Sequence, residues 1–395
     1  AVNKGKLYFT GDDGYCYCLA TADGSLVWKR LLAPSGNQLL GNRRFISMWP
    51  ARGGIVIKDD ILYTAAGIFP LMGTFIYALN ADSGEIIWEN EGTGSNYILQ
   101  PHRSPAFADV APQGAFTISG NKLLVAGGRS VPAAFNLHTG EELYYQLAAS
   151  GKTGGANTFA NDRVFFNHHR ERMTSMYDAE TGNLVGSNAG EYPVVDGDLA
   201  YFSGKAITAA KILPGKKPET LWKVNVSATN DLIKAGDYLY AADSSGITAI
   251  RLITGSVPEV KWHYRVKKNV VRLLAANGKL IAVTDDGAIL VFGDTPVRKV
   301  PVHLSKKNPA LKSSGIAKKM IRAVGITEGY CLMMGSDTRL IEGLLAQTSL
   351  NMIVYEKDSV KVNALRAYFD QAGVPAERAS FHYFNPKFPS LPNYF

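Results

Sequence analysis

Cysteine is scarce: the chain has three in 395 residues. Cys16 and Cys18 stand two apart in the run Tyr15-Cys16-Tyr17-Cys18-Leu19. On a strand they face the same way, and such neighbours rarely reach disulfide geometry. No adjacent pair, no Cys-x-x-Cys-His and no paired Cys-x-x-Cys occurs, which removes the usual haem-attachment and zinc-knuckle motifs. Nothing approaches the ~18 uninterrupted apolar residues of a membrane helix, so no membrane span is expected. No leader peptide is legible. The chain opens at Ala1 without Met, directly on strand-like residues, and reads as a processed chain or a piece of a longer one. A Gly-x-Ser-x-Gly elbow is missing. So is any carboxylate pair or cluster placed for acid–base hydrolysis or calcium. No metal site is expected.

Charged residues make up 19% against 46% hydrophobic, the balance of a globular chain. Net charge is +8, and the excess is local. From Arg298 to Arg322 there are eight Lys or Arg and no acid. The run lacks interleaved aromatics, which argues against nucleic acid and for a solvated linker. Gly 39, Tyr 19 and Phe 17 against Met 8 point to a turn-rich β protein.

What the chain has is a repeat. Ala22-Asp23-Gly24-Ser25-Leu26-Val27-Trp28 returns as Ala81-Asp82-Ser83-Gly84-Glu85-Ile86-Ile87-Trp88, and again as Leu137-His138-Thr139-Gly140-Glu141-Glu142-Leu143-Tyr144. A fourth copy, at 178–186, has Gly186 where the aromatic should be. Two later copies lengthen the turn before Trp222 and Trp262. A hairpin precedes each turn, as in Lys58-Asp59-Asp60-Ile61-Leu62-Tyr63 or Ala276-Asn277-Gly278-Lys279-Leu280. Asp-Gly and Asn-Gly supply the positive φ of two-residue hairpins, and their flanks alternate as half-buried strands do. Four short strands in ~40 residues make one propeller blade. Seven units follow, at 4–31, 46–91, 104–147, 154–190, 191–227, 229–266 and 267–304. A Trp after each turn would lie flat on the next blade.

From Ile316 the period becomes helical, with Ala317, Met320, Ile321 and Val324 on one face. Then come a buried strand at Tyr330–Met334, a tight turn at Gly335–Thr338, a helix at 340–348, a strand at 351–355, a helix at 359–372 and a strand at 379–383. This is β-α-β-α-β, the first half of a doubly wound sheet. An acid ending the second strand about 20 residues past the glycine turn is where that fold holds a ribose. Here it is Glu356.

On these residues the first 300 positions resemble the quinoprotein-like (PQQ-like) propeller family, whose tryptophan-docking repeat reads Ala-x-Asp-x-x-Thr-Gly-x-x-x-Trp. The resemblance implies a mainly β fold, a ring that commonly has eight blades, and a periplasmic or otherwise extracytoplasmic site of action. Residues 329–395 resemble the N-terminal half of a methyltransferase dependent on S-adenosylmethionine (SAM). That second resemblance implies Gly335 and Asp337 near the methionine part of SAM and Glu356 on the ribose. The family's glycine-rich turn is reduced here to Gly335-Ser336-Asp337-Thr338, and its acid near the adenine corresponds to Asn385. A methyltransferase-like unit between blades resembles planctomycete-type propeller proteins. The expected organisation is a propeller over 1–304, a basic linker and helix over 305–328, and a partial Rossmann-like segment over 329–395.

PQQ dehydrogenases need adjacent cysteines and a Ca²⁺ cage, so PQQ is not expected. Arg44, Trp49 and Arg52 lie in the run from Arg43 to Gly53, ahead of a blade's first strand. Arg103, Arg129 and Arg170 lie at comparable loop positions. Guanidinium groups around one funnel would hold a carboxylate, sulfate or phosphate bidentately, and Trp49 could stack on a flat ligand. The plainer alternative is that each Arg ties loop carbonyls. The expected function is a non-catalytic binding or assembly module for a protein partner or anionic ligand. The alternative is a SAM-dependent methyltransferase.

Overall fold

The computed structural model describes residues 1–41, 44–93, 97–99, 103–107, 109–127, 130–147, 155–170, 173–294 and 310–383, apart from the side chains of 44, 92, 93, 169 and 170. The chain divides into two compact units. One comprises Ala1–Gly11, Cys16–Leu32 and Ala51–Arg298; the other comprises Asp12–Tyr15, Ala33–Pro50 and Lys299–Phe395.

The first unit is a seven-bladed β-propeller. Six antiparallel sheets have four strands in chain order, and the seventh has three among the described residues, Val270–Ala276, Lys279–Thr284 and Ile289–Phe292. The first blade opens with a strand of two residues, Val2–Asn3. The second begins at Val56 and the third at Thr117, later than the repeat suggested. The intervening runs form separate hairpins, Gln38–Gly41 with Arg44–Ser47 and Tyr97–Leu99 with Pro105–Phe107. The second alternates in burial as a blade strand would, whereas Gln38–Gly41 is half-buried throughout.

The repeat motif works as a joint. Asn80, Asn136 and Asp178 each close a turn by accepting two backbone N–H groups with one side-chain oxygen. Each turn then needs a left-handed residue, met by Gly84, Gly140 and Gly182 at φ +71° to +73°. The same glycines must lack a Cβ for a second reason. The ring of the preceding blade lies there: a Cβ would stand 2.7 Å from Trp28 at Gly84, 2.4 Å from Trp88 at Gly140 and 2.7 Å from Tyr144 at Gly182. The ring's polar atom completes the joint. Trp28 and Trp88 donate to the carbonyls of Ala81 and Leu137 at 3.1 and 3.0 Å, and Tyr144 to Ala179 at 3.1 Å. Within its own blade the indole leans on a tyrosine of the second strand: Tyr8–Trp28, Tyr63–Trp88, Tyr201–Trp222 and Tyr240–Trp262, with centroids 5.9 to 6.1 Å apart.

The second unit is built on three parallel strands, Glu328–Met334, Ser349–Glu356 and Ala379–Tyr383, with the second in the middle. Helices α2 (Thr338–Gln347) and α3 (Ser359–Gln371) connect them. α1 (Gly315–Val324) crosses α2 where Gly343 leaves room: a Cβ there would be 2.4 Å from that of Ser314. Met352, Val354, Ala379 and Phe381 face the helices, packing on Leu344, Leu365 and Phe369. Of the expected face of α1, Ala317 and Ile321 pack in this core, whereas Met320 and Val324 are exposed. The other face of the sheet is covered by the 38–47 hairpin, through Leu40 and Phe45 on Leu332, Ile353 and Tyr355. Tyr355 donates its hydroxyl to Gln38 at 3.0 Å.

Candidate functional site

The loop arginines come first. Arg52 and Arg103 belong to the propeller unit, and both are exposed. Arg103 takes a left-handed φ of +67°, uncommon for a bulky residue. Arg44 and Trp49 belong to the other unit, with Arg44 opening a hairpin strand and Trp49 half-buried just beyond it. Trp49 takes its backbone N–H to the Ser47 hydroxyl at 3.0 Å. Arg129 lies outside the described residues, as do the side chains of Arg44 and Arg170 and most of the basic run, 298–309.

The residues at the ends of the parallel strands form a connected group. Gly335 follows the first strand with φ +104°, and its N–H donates to the Tyr355 carbonyl at 2.7 Å. A Cβ at Gly335 would meet nothing within 4 Å. Ser336 then donates its hydroxyl to Glu356, and the N–H of Asp358 donates to the other carboxylate oxygen at 3.0 Å. Those bonds, Ser336 first, hold the Glu356 carboxyl below the ordinary range although burial opposes it. Glu356 is 6% exposed. Asp337 accepts from the Leu340 N–H at 3.0 Å and so caps α2. Beside this group is a cavity of about 440 Å³, lined by Ser336, Thr338, Lys361, Leu365 and Tyr368.

The sequence reading did not single out Ser336, Lys361 or Tyr368. Ser336 was legible as a hydroxyl in the glycine turn; Lys361 and Tyr368 carried no signal beyond helical spacing. It also missed His382, whose ring stacks on Tyr355 with centroids 5.2 Å apart. Burial, with Arg366 nearby, lowers the His382 pKa to about 4, so the imidazole is neutral near pH 7. Among the described residues there is no group of His, Cys, Asp and Glu that could hold a metal ion, and no helix is long and apolar enough to cross a membrane.

Blades joined by a ring laid on the next blade's turn define a quinoprotein-like β-propeller. The chain belongs to the PQQ_2 family, whose model, described as outer membrane protein assembly factor BamB, matches residues 12–258. Among solved structures the chain is similar to BamB from Moraxella catarrhalis, at 15% identity over 73% of this chain and 81% of that one, with a TM-score of 0.46. It is similar to the quinohemoprotein alcohol dehydrogenase ADHIIG from Pseudomonas putida HK5 at 13% identity, over 82% of this chain and 71% of that one, with a TM-score of 0.48. The computationally designed Ika8 protein also matches, at 12% identity over 74% and 94% of the two chains, with a TM-score of 0.40. No curated protein matches.

Proposed function

We propose that this chain is a non-catalytic binding or assembly module that acts outside the cytoplasm. One observation carries the reading: the family model described as an outer membrane protein assembly factor matches residues 12–258. The physical design agrees with it. The repeated chemistry of the first blades, ring, turn glycine and Asx turn, is spent on joining blades. Loops are left to recognise partners, since fold alone names no ligand. The contact surface in this reading is the set of propeller-unit loops that carry Arg52 and Arg103, with Arg129 and Arg170 as further candidates on that unit; Arg44 and Trp49 are candidates on the other unit by itself. Guanidinium groups suit a protein partner with surface carboxylates or an anionic ligand.

The test is site-specific photo-crosslinking in the cell envelope from positions 52 and 103, with Lys279 on a blade hairpin as the control. The same discrete protein adduct from both loop positions, lost from position 52 on Arg103→Glu and from position 103 on Arg52→Glu, is the expected result. Adducts no different from those at position 279 would sink the reading.

A second reading is a unit that binds SAM. The observation that favours it is the open backbone at Gly335 beside the Ser336–Glu356 pair, at the carboxyl ends of parallel strands where open α/β sheets bind ligands. The fit is incomplete. Asp337 is spent on capping α2, both Glu356 oxygens already accept bonds, and the adjacent cavity is lined by Ser336 and Lys361 and not by Glu356. Calorimetric titration with SAM decides this: binding that Glu356→Ala abolishes supports it, and no heat of binding removes it.

A further inference from the structure

The junction of blades four and five departs from its neighbours. On the paired third and fourth strands, the docking aromatic sits opposite an alanine in four blades: Trp88 opposite Ala78, Tyr144 opposite Ala134, Trp222 opposite Ala209 and Trp262 opposite Ala249. In blade four the pair is Gly186 opposite Met176. The bulk has moved across the ladder. Met176 is fully buried, in a cluster with Phe166 and Phe202 that joins the two blades. The space the ring would fill is left as a groove of about 510 Å³. Blade five's turn glycine, Gly215, has nothing within 4 Å of a Cβ; the same holds for Gly255 at the next junction, where Trp222 is present and lines a cavity of about 680 Å³.

The groove has a mixed floor, with Ser187, Asn188, Ser203, Thr208 and Thr220 beside its apolar groups, and a basic rim. Phe202, Ala189 and Ala206 are the apolar part of the floor; Lys205, Lys217 and Lys223 line the rim. The stem of Lys217 lies against Gly186, in the place of the missing ring. Among the described residues none of these three lysines pairs with a carboxylate. The one acid in the lining, Glu191, lies against Gly204. Apolar and hydrogen-bonding groups between ammonium groups suit an extended chain, whose side chains alternate between two faces. Apolar groups would take the floor while carboxylates meet the lysines.

We propose that this groove is a docking site for an extended acidic segment of a partner protein. It involves none of the loop arginines and stands independently of that reading. The probe is a fluorescein-labelled synthetic peptide alternating glutamate with valine, followed by anisotropy at low and at physiological salt. The expected result is saturable binding that weakens with salt and falls about tenfold or more in Lys217→Glu/Lys223→Glu. Lys318→Glu/Lys319→Glu, the same charge change on α1, leaves it within about twofold. Gly186→Trp/Met176→Ala, which installs the Trp–Ala pair present in three other blades, removes binding while thermal unfolding stays cooperative. If that variant does not fold, the lysine comparison alone decides. No saturable binding, equal losses from the two charge reversals, or competition by inorganic phosphate as strong as by unlabelled peptide would each overturn the proposal.

Discussion

Two junctions of the same ring solve one packing problem differently. Between blades two and three, Trp88 is 9% exposed, pinned under Gly140 and bonded to the Leu137 carbonyl. Between blades four and five, no ring reaches the turn, and Met176 packs from one strand further in. The first joint is sealed to its rim. The second is sealed only at depth and leaves a groove. The lesson is that blade cohesion needs apolar volume between sheets but does not fix which strand supplies it. A side chain moved across the ladder keeps the core and frees the surface.

The contrast can be broken at its strongest point first. Trp88→Ala deletes a buried indole and orphans a carbonyl, and is expected to cost about 3–5 kcal/mol in denaturant unfolding. Met176→Ala tests the inner seal, with an expected loss of about 2–4 kcal/mol. A loss as small as that of a surface change would show that the junction of blades four and five is held elsewhere. The two glycines sharpen the point. Gly140→Ala places a methyl 2.4 Å from Trp88 at a φ of +73°, so a loss of about 1–3 kcal/mol is expected. Gly186→Ala meets only the Lys217 stem at 3.2 Å and lies outside the left-handed region. That stem can move, and the change should stay within about 0.5 kcal/mol. Equal effects at the two positions would mean that the two junctions are not built differently.

The parallel unit differs again. Its helices are closed by local chemistry, Asp337 and Asp358 at the starts of α2 and α3 and Gly325 after α1; the Gly325 end was read from the sequence, whereas Asp337 was assigned to a ligand and α2 was expected to start at Leu340. Its second cover was not readable in the sequence. The 38–47 hairpin precedes the sheet it packs on by about 280 residues, and no local signal marks such a partner. The end of that hairpin was instead counted into the second blade, which was expected to begin at residue 46 and begins at Val56.

The blades, their order and the joint were legible because they rest on short-range rules that repeat. An Asx turn, a left-handed glycine and a ring at fixed spacing are all encoded within ten residues. Even Gly186 announced a missing ring. The candidate sites were legible only as residue types. That Ser336 would claim Glu356 and that Met176 would fill the gap left at Gly186 both depend on which strands lie side by side. Those neighbours are far apart in the chain, and only the folded structure decides which side chain is spent on packing and which is left to meet a partner.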